Sequence, residues 1–138
     1  MDVSIVRMTA DKAALLDRIA DGVFNDPPVA EWRVPYLASP AVMLVVALDG
    51  DLVIGQVKAA IHLHPDKAAD LYIDEVGVAA THQRRGIARR MLGEVEQWAR
   101  ERDCVDVWLA ADVGNDAAQS LYGGFAQSKP ANLYFWEL

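Results

Sequence analysis

The spacing of apolar residues divides the chain into short strands and helices. Apolar or alternating stretches predict β-strands over residues 3–8, 41–48, 52–63, 71–78, 104–110 and 131–138. Asp49-Gly50 lies between the second and third of these stretches, and this dipeptide favours a tight hairpin turn because both positions tolerate a positive φ. The pattern therefore predicts a sheet that is mostly antiparallel in its N-terminal half.

Other segments carry apolar residues at helical spacing. The clearest runs from Gly86 to Arg102, with one apolar stripe made of Ile87, Met91, Leu92, Val95 and Trp98. Further helices are predicted near Asp11, behind the capping residue Thr9; after Pro28; and over 115–124, capped by Asn115. The order predicts one domain, residues 1–138, of the mixed α/β (α+β) class, with about four helices flanking the sheet.

The strand over 71–78 contains a break in its alternation. Leu71 and Ile73 are apolar, followed by Val76 and Val78, so the period of two slips by one residue between the pairs. A β-bulge at Asp74-Glu75 would keep both apolar pairs on one face. Bulges re-aim side chains and often lie beside active sites, so these two carboxylates are candidate functional groups.

Composition narrows the classes of partner. Twenty acidic residues against 13 basic ones give a net charge of −7, which disfavours nucleic acid as a partner. The longest apolar run, 41–48, is too short to span a bilayer, and the first residues do not resemble a secretory signal. With a single cysteine, these features predict a cytoplasmic protein with no membrane partner.

The segment THQRRGIARRM, residues 81–91, gathers arginines in this acidic chain. Cations are unfavourable at a helix start unless an anion is bound there, because the unpaired N–H groups already carry the positive end of the helix dipole. Gly86 and Ala88 are small enough to let a diphosphate approach the backbone. Two interpretations remain at this point: a solvated helix start, or a phosphate cradle that uses Arg84 and Arg85.

The hexapeptide Gln83-Arg84-Arg85-Gly86-Ile87-Ala88 resembles the Q/R-x-x-G-x-G/A signature of the GNAT superfamily, the Gcn5-related N-acetyltransferases. Within that family, LYIDEVGVAATHQRRGIARRML, ADVGNDAAQSLY and YFWEL are most similar to the type I aminoglycoside 3-N-acetyltransferase branch. The resemblance covers essentially the whole chain. It implies a GNAT fold with six to seven strands, splayed at the central strands, and acetyl-coenzyme A as co-substrate without a metal.

The same resemblance implies where the co-substrate binds. Residues 83–88 would wrap its pyrophosphate, and the backbone of Val76, Gly77 and Val78 would pair with the pantetheine arm and supply N–H groups to the thioester carbonyl. Gly77 would leave room for this arm, although it is also compatible with a plain core strand. Asn115, at the start of the following helix, is assigned to the same site.

Acetyl transfer also needs proton transfer, and the resemblance implies which residues provide it. Tyr122 matches the family's tyrosine and is the candidate general acid, because a phenol with a pKa of about 10 is protonated at neutral pH. Glu75 is the candidate base, directly or through a water molecule. Asp74 is its competitor and a candidate substrate-binding residue, because a bulge leaves the direction of both side chains open.

The remaining candidates concern the acceptor. Asp112 and Glu137 are predicted to line an acidic acceptor pocket, with Trp32 and Tyr36 from the proline-rich connection, residues 25–40. His62 and His64 share one strand face and are expected to border this pocket. A metal site needs three or four ligands, which this segment does not supply, so no metal is predicted.

Together these features predict an N-acetyltransferase that acts on a primary amine of a cationic small molecule, with aminoglycosides as the named class. The amine would attack directly within a ternary complex. Alternatives are acetylation of a protein lysine or N-terminus, and a non-catalytic module that binds acyl-coenzyme A. A homodimer is implied by the resemblance alone.

Overall fold

A computed structural model describes residues 2–138, whose strands form one five-stranded sheet in the order β1-β2-β3-β4-β5. The strands are β1 (Val3–Arg7), β2 (Val42–Asp49), β3 (Leu52–His62), β4 (Asp70–Val78) and β5 (Val107–Trp108). Neighbours from β1 to β4 are antiparallel, and β5 runs parallel to β4. The predicted mixed, mostly antiparallel sheet and the hairpin at Asp49-Gly50 are therefore confirmed.

The helices lie largely where the sequence predicts them. They are α1 (Ala30–Ala38), α2 (Ile87–Glu101) and α3 (Asp116–Tyr122), with short 3₁₀ helices at Ala10–Asp17 and Ala80–His82. The whole predicted apolar stripe of α2 is buried, and this helix packs against β1 to β4 to form the core. No helix within residues 2–138 is both long enough and apolar enough to cross a membrane.

The segment after Thr9 differs from its prediction. Its helix is of the 3₁₀ type and ends at Asp17, although apolar residues continue at helical spacing to Val23. The backbone then joins the sheet: the amide of Ala20 donates to the carbonyl of Val53 at 2.9 Å, and the amide of Val53 donates to the carbonyl of Arg18 at 2.9 Å. These bonds replace those that would continue the helix.

The strand count is lower than the six to seven expected. The segment 104–110 pairs with β4 only at Val107 and Trp108. Residues 131–138 form no strand in the structure, and the side chains of this stretch are exposed, with Tyr134 at 79% and Trp136 at 78%. An apolar stretch becomes a strand only when a sheet edge is available for its hydrogen bonds, and the two-residue β5 offers almost none.

The expected splay is present between β4 and β5. Only Leu71 and Tyr72 of β4 pair with β5, opposite Val107 and Trp108. Beyond Tyr72, the edge of β4 that faces β5 has no strand partner among residues 2–138. The sheet therefore presents an edge without a strand partner along the C-terminal half of β4, where the carbonyl of Val78 accepts a hydrogen bond from the side chain of Gln83.

Candidate active site

The predicted bulge lies in the middle of β4. Lys58 pairs with Glu75 and Ala59 pairs with Ile73, so Asp74 is the extra residue with no partner on β3. The bulge keeps both apolar pairs of β4 on the side of the core, as the sequence predicts. It also places two adjacent carboxylates at the edge of the splay.

The carboxylate of Glu75 is fully engaged by neighbouring groups. Its Oε2 atom accepts hydrogen bonds from the amide of Asn25 at 2.8 Å and from Nε2 of Gln56 at 2.9 Å. Its Oε1 atom lies 3.0 Å from Nζ of Lys58, and the side chain is only 11% exposed. Glu75 therefore links β3, β4 and the connection before α1, which leaves little of its carboxylate free for a substrate.

The carboxylate of Asp74, unlike that of Glu75, faces solvent. It is exposed, and within residues 2–138 no hydrogen bond or ion pair engages its carboxylate. Partial desolvation raises the pKa of Asp74, against the lowering effect of Lys58 and His62. Tyr36 of α1 is close enough that burial, and then the charge of Asp74, raise the pKa of that phenol to about 12. Of the two carboxylates, Asp74 is the one available for proton transfer.

The space at Gly77 is used by the protein itself. A Cβ atom built at this position would lie 1.9 Å from the carbonyl oxygen of Val23. The glycine is thus needed for the close packing of the connection before α1 onto β4, a reason that the sequence does not reveal. That side of Gly77 therefore has no room for a cofactor arm, and a contribution of its backbone to co-substrate binding stays a prediction.

Gln56 is a functional neighbour that the sequence analysis missed. It is completely buried, and its Nε2 atom donates to the carbonyl of Val23 at 3.1 Å as well as to Glu75. Its Oε1 atom has no hydrogen-bond partner within residues 2–138. A glutamine inside the apolar stretch LVIGQVKAA was the available signal, because a buried amide needs polar partners.

The loop before α2 adopts a conformation suited to an anion. Arg84 has φ 63° and Gly86 has φ 74°, and a Cβ atom on Gly86 would meet nothing within 4 Å. A positive φ on a non-glycine residue such as Arg84 is uncommon and is held only by its surroundings. Gly86 leads directly into α2, whose first N–H groups lack helical partners. The side chain of Gln83 donates to the carbonyl of Val78 at 3.0 Å, which ties the loop to β4.

Tyr122 lies at the end of α3 and is half-buried, and burial raises the pKa of its phenol. Its ring meets that of Phe125 edge to face, with centroids 6.1 Å apart. The guanidinium of Arg89, in the first turn of α2, lies 3.8 Å from the centroid of Phe125. Phe125 therefore connects the tyrosine with the start of α2, a contact that the sequence analysis did not predict.

Three features agree with a comparison of sequences: a bulged strand with an open edge, a loop with two positive φ angles before α2, and a half-buried tyrosine. The model of the acetyltransferase (GNAT) family matches residues 12–125, most of the chain. The chain belongs to the GNAT acetyltransferase family. It is therefore an acetyl-coenzyme A-dependent N-acetyltransferase, as the sequence motif predicts.

Solved structures share the fold of this acetyltransferase at low identity. An aminoglycoside acetyltransferase from an uncultured soil metagenomic sample has TM-score 0.86 and 18% identity, over 100% of this chain and 99% of that chain. AAC(6')-Iy, in complex with the bisubstrate analogue CoA-S-monomethyl-acetylneamine, has TM-score 0.81 and 14% identity, over 100% and 99%. The ribosomal-protein-alanine N-acetyltransferase from Brucella melitensis biovar Abortus 2308 has TM-score 0.74 and 17% identity, over 99% of each chain. No curated protein matches the chain significantly.

The residues of this acetyltransferase fit acetyl-coenzyme A at two places. The unpaired edge of β4 at residues 76–78 offers backbone groups to an extended amide-containing arm. The loop at residues 83–88 offers unpaired helical N–H groups and the Arg84 guanidinium to phosphates. Asn115 fits less directly, because its Oδ1 atom accepts a hydrogen bond from the amide of Ala118 at 3.0 Å and so caps α3.

The structure places the residues predicted to bind the acceptor in different surroundings. Tyr36 lies near Asp74, whereas Trp32 of the same helix is 67% exposed. Asp112 is exposed in the loop before α3. Glu137 lies on the exposed stretch 131–138, and within residues 2–138 no hydrogen bond or ion pair joins it to Asp74 or Tyr36. Only Asp74 and Tyr36 are thus brought together in the described chain.

The two histidines turn toward Asp70, a residue that the sequence analysis did not single out. The side chain of His64 hydrogen bonds to Asp70, Nδ1 of His62 lies 3.7 Å from it, and Nε1 of Trp108 donates to it at 2.7 Å. The bond from His64 and then that from Trp108 lower the pKa of Asp70. These residues line a cavity of about 300 Å³ beside β5. Within residues 2–138 no group of His, Cys, Asp and Glu side chains is arranged to hold a metal ion.

Proposed function

We propose that this acetyltransferase moves the acetyl group of acetyl-coenzyme A to a primary amine of a cationic small molecule, with aminoglycosides as the acceptor class. The observation that carries the proposal is the unpaired carboxylate of Asp74 at the bulge, beside the open edge of β4. An exposed carboxylate in a chain of net charge −7 attracts a polyamine and accepts a proton from it.

The amine attacks the thioester directly within a ternary complex, and no acyl-enzyme forms. The nitrogen of the neutral amine forms a bond to the carbonyl carbon of the thioester, negative charge develops on the carbonyl oxygen, and the carbon–sulfur bond then breaks. The proton lost by the amine passes to Asp74, directly or through water, and the hydroxyl of Tyr122 gives its proton to the departing sulfur. The products are an amide and a thiol, and both side chains return to their starting protonation by exchange with solvent.

Asp74 is the better base of the two carboxylates. A raised pKa makes a carboxylate a stronger proton acceptor, provided that it still ionises at working pH. Glu75 has three partners, and proton uptake there would break favourable contacts with Lys58, Gln56 and Asn25. We therefore assign the base to Asp74 and give Glu75 the task of fixing the bulge.

The remaining residues bind and orient the substrates. The backbone of Val76, Gly77 and Val78 holds the pantetheine arm and offers N–H groups to the thioester carbonyl as negative charge develops on its oxygen. The loop at residues 83–88 holds the pyrophosphate. Tyr36, Trp32, Asp112 and Glu137 surround the acceptor. The sequence resembles the 3-N branch, whereas the fold is similar to that of AAC(6')-Iy. Analysis of the product would therefore identify which amine is acetylated.

A thiol-release assay with acetyl-coenzyme A tests the proposal across aminoglycosides, polyamines and short peptides. We expect turnover with aminoglycosides and a mass increase of one acetyl group on a product amine. Turnover with peptides alone would favour protein acetylation, a reading supported by the similarity to the ribosomal-protein-alanine enzyme. Coenzyme binding without turnover on any amine would favour the binding module. Raised aminoglycoside tolerance of cells expressing the chain would extend the result to antibiotic resistance.

We also propose a cytoplasmic homodimer in which a second copy covers residues 131–138. Leu133, Tyr134, Phe135 and Trp136 are 74% to 81% exposed, more contiguous apolar surface than a monomer ordinarily leaves in water. A second copy can cover this stretch by apolar contact, because it exposes the same apolar residues. Sedimentation equilibrium should give a dimer mass for the whole chain and a monomer mass after Tyr134→Ser and Trp136→Ser.

A further inference from the structure

A polar clasp joins the β2–β3 hairpin to the segment that leads into the anion loop. Nε2 of His82 lies 2.9 Å from Oδ2 of Asp49, the last residue of β2. Nδ1 of the same ring lies 2.7 Å from Oγ1 of Thr81. When Nε2 carries the ring proton, the imidazole donates to the carboxylate and accepts from the hydroxyl. Both ring nitrogens are then satisfied without a net positive charge on the ring.

The bond between His82 and Asp49 lies directly before the loop at residues 83–88 and is largely shielded from solvent on the side of His82. His82 ends the 3₁₀ helix Ala80–His82 and directly precedes Gln83, and its side chain is only 13% exposed. Asp49 is fixed by strand pairing with Leu52 across the Gly50 turn. Asp49, at one end of the clasp, is therefore anchored in the sheet. His82, at the other end, lies two residues before Arg84, which has a positive φ.

Two further hydrogen bonds lie near the start of this loop. Gln83 binds the carbonyl of Val78, and the amide of Ala79 donates to the carbonyl of Ile54 at 2.8 Å, so both fix the end of β4. The second of these bonds reaches the hairpin at Ile54 of β3, and neither of them involves Asp49 or the turn. A backbone held at a positive φ persists only when neighbouring groups hold it, and the His82–Asp49 bond supplies such a hold.

We propose that His82 is a positioning residue that, through Asp49, holds the loop at residues 83–88 in the conformation that binds the phosphates of the co-substrate. The inference rests on the proposed role of this loop. His82 acts through the loop, because its two ring nitrogens are engaged by Asp49 and Thr81. Its loss should therefore weaken binding of the phosphate-bearing part of the co-substrate and leave the acetyl-transfer step largely intact.

Two acetyl donors test the proposal: acetyl-coenzyme A, and S-acetyl-pantetheine, which lacks the pyrophosphate. For His82→Ala we expect Kd for acetyl-coenzyme A, measured by calorimetry, to rise about tenfold, the loss of one hydrogen bond to a charged group. Turnover at saturation should stay within about twofold. With S-acetyl-pantetheine, kcat/KM should match that of the parent protein, because the loop has no phosphate to hold.

Variants of the hairpin make the test specific. Asp49→Ala should raise the Kd for acetyl-coenzyme A as much as His82→Ala does. The double variant should raise this Kd no more than either single variant. Asp49→Asn keeps a side-chain oxygen that accepts a hydrogen bond from Nε2 of His82. Its Kd for acetyl-coenzyme A should therefore be close to that of the parent protein. Asp51→Ala, on the same hairpin, removes the ion pair with Arg18 instead and should leave Kd unchanged.

Two results would overturn the proposal. One is an unchanged Kd for acetyl-coenzyme A in a folded His82→Ala variant. The other is an equal loss of kcat/KM with both donors, which would make His82 a general structural residue. Failure of the parent protein to bind acetyl-coenzyme A at all is a different result, because it would refute the proposed function before the clasp is tested.

Discussion

Nε2 of Gln56 lies 2.9 Å from Oε2 of Glu75, and this bond joins β3 to the bulge of β4 in the interior of the protein. The same amide group of Gln56 donates to the carbonyl of Val23, and the amide of Asn25 donates to Glu75. The pair therefore fixes the connection before α1 against the sheet. Glu75 is thereby held in place, and its neighbour Asp74, which is exposed, is the base that we propose.

Replacement of Gln56 by leucine should cost about 2–4 kcal/mol in free energy of unfolding, measured by urea denaturation. The substitution leaves the carbonyl of Val23 without its donor in a buried place and removes one of the donors to Glu75. The matched control is Gln97→Leu on the exposed face of α2, which should change stability by less than about 0.5 kcal/mol. Equal effects of the two substitutions would show that the buried network contributes little.

The two carboxylates of the bulge should respond differently to removal of their charge. Asp74→Asn should lower kcat by about 10²–10⁴-fold with little change in unfolding free energy, because an amide cannot take a proton from the amine. Glu75→Gln should instead lower stability by about 1–3 kcal/mol, since Lys58 loses its charged partner. Steady-state kinetics and urea denaturation of both variants check this, and the reverse pattern would return the role of base to Glu75.

Features set by local spacing could be predicted from the sequence. The stripe on α2 and the slip in alternation at Asp74-Glu75 are each written within one segment, and the structure confirms both. The glycine at the start of α2 belongs to the same class, because Gly86 and the helix are adjacent in the chain, whereas anion binding by residues 83–88 stays a prediction. Periodicity records which face of an element is apolar, and that face is what the core buries.

Features that depend on distant partners could not be predicted. Nothing near Glu75 in the chain indicates that Gln56 and Asn25 would use its carboxylate, because these residues lie 19 and 50 positions away. The contact of Gly77 with Val23 is equally remote. Residues 131–138 have the composition of a strand, but a strand also needs an edge to pair with, and a sequence pattern does not show whether one is available.

The pH dependence of turnover should identify Tyr122 as the acid. Burial raises the pKa of its phenol above the ordinary 10.0, and a general acid acts only while it is protonated. Any contribution of Tyr122 is therefore fully present at neutral pH and is lost only as pH rises through the raised pKa. In a pH profile of kcat, Tyr122→Phe should remove this alkaline fall and lower the plateau by about 10²-fold. Tyr36→Phe should leave the alkaline fall in kcat in place, because Tyr36 is not the group proposed to protonate the departing sulfur. An unchanged profile in Tyr122→Phe would contradict the assignment.

A methyl group at Gly77 should be costly for folding, whatever its effect on catalysis. A Cβ atom there would approach the carbonyl oxygen of Val23 to 1.9 Å, and backbone must move to relieve the clash. We expect Gly77→Ala to lower the free energy of unfolding by about 3 kcal/mol. Gly93→Ala is the matched control: it lies inside α2, a Cβ there meets nothing within 4 Å, and alanine should stabilise the helix by about 0.5–1 kcal/mol.

The pair of glycine variants also separates two reasons for the residue at position 77. If the glycine serves the packing of Val23, the loss appears in urea denaturation of the protein without any ligand. If it served only the approach of the pantetheine arm, Gly77→Ala would unfold like the parent protein and differ only in its Kd for acetyl-coenzyme A. Calorimetry on the folded variant, beside the denaturation curve, distinguishes these results, and the second would contradict the packing role that the Val23 contact indicates.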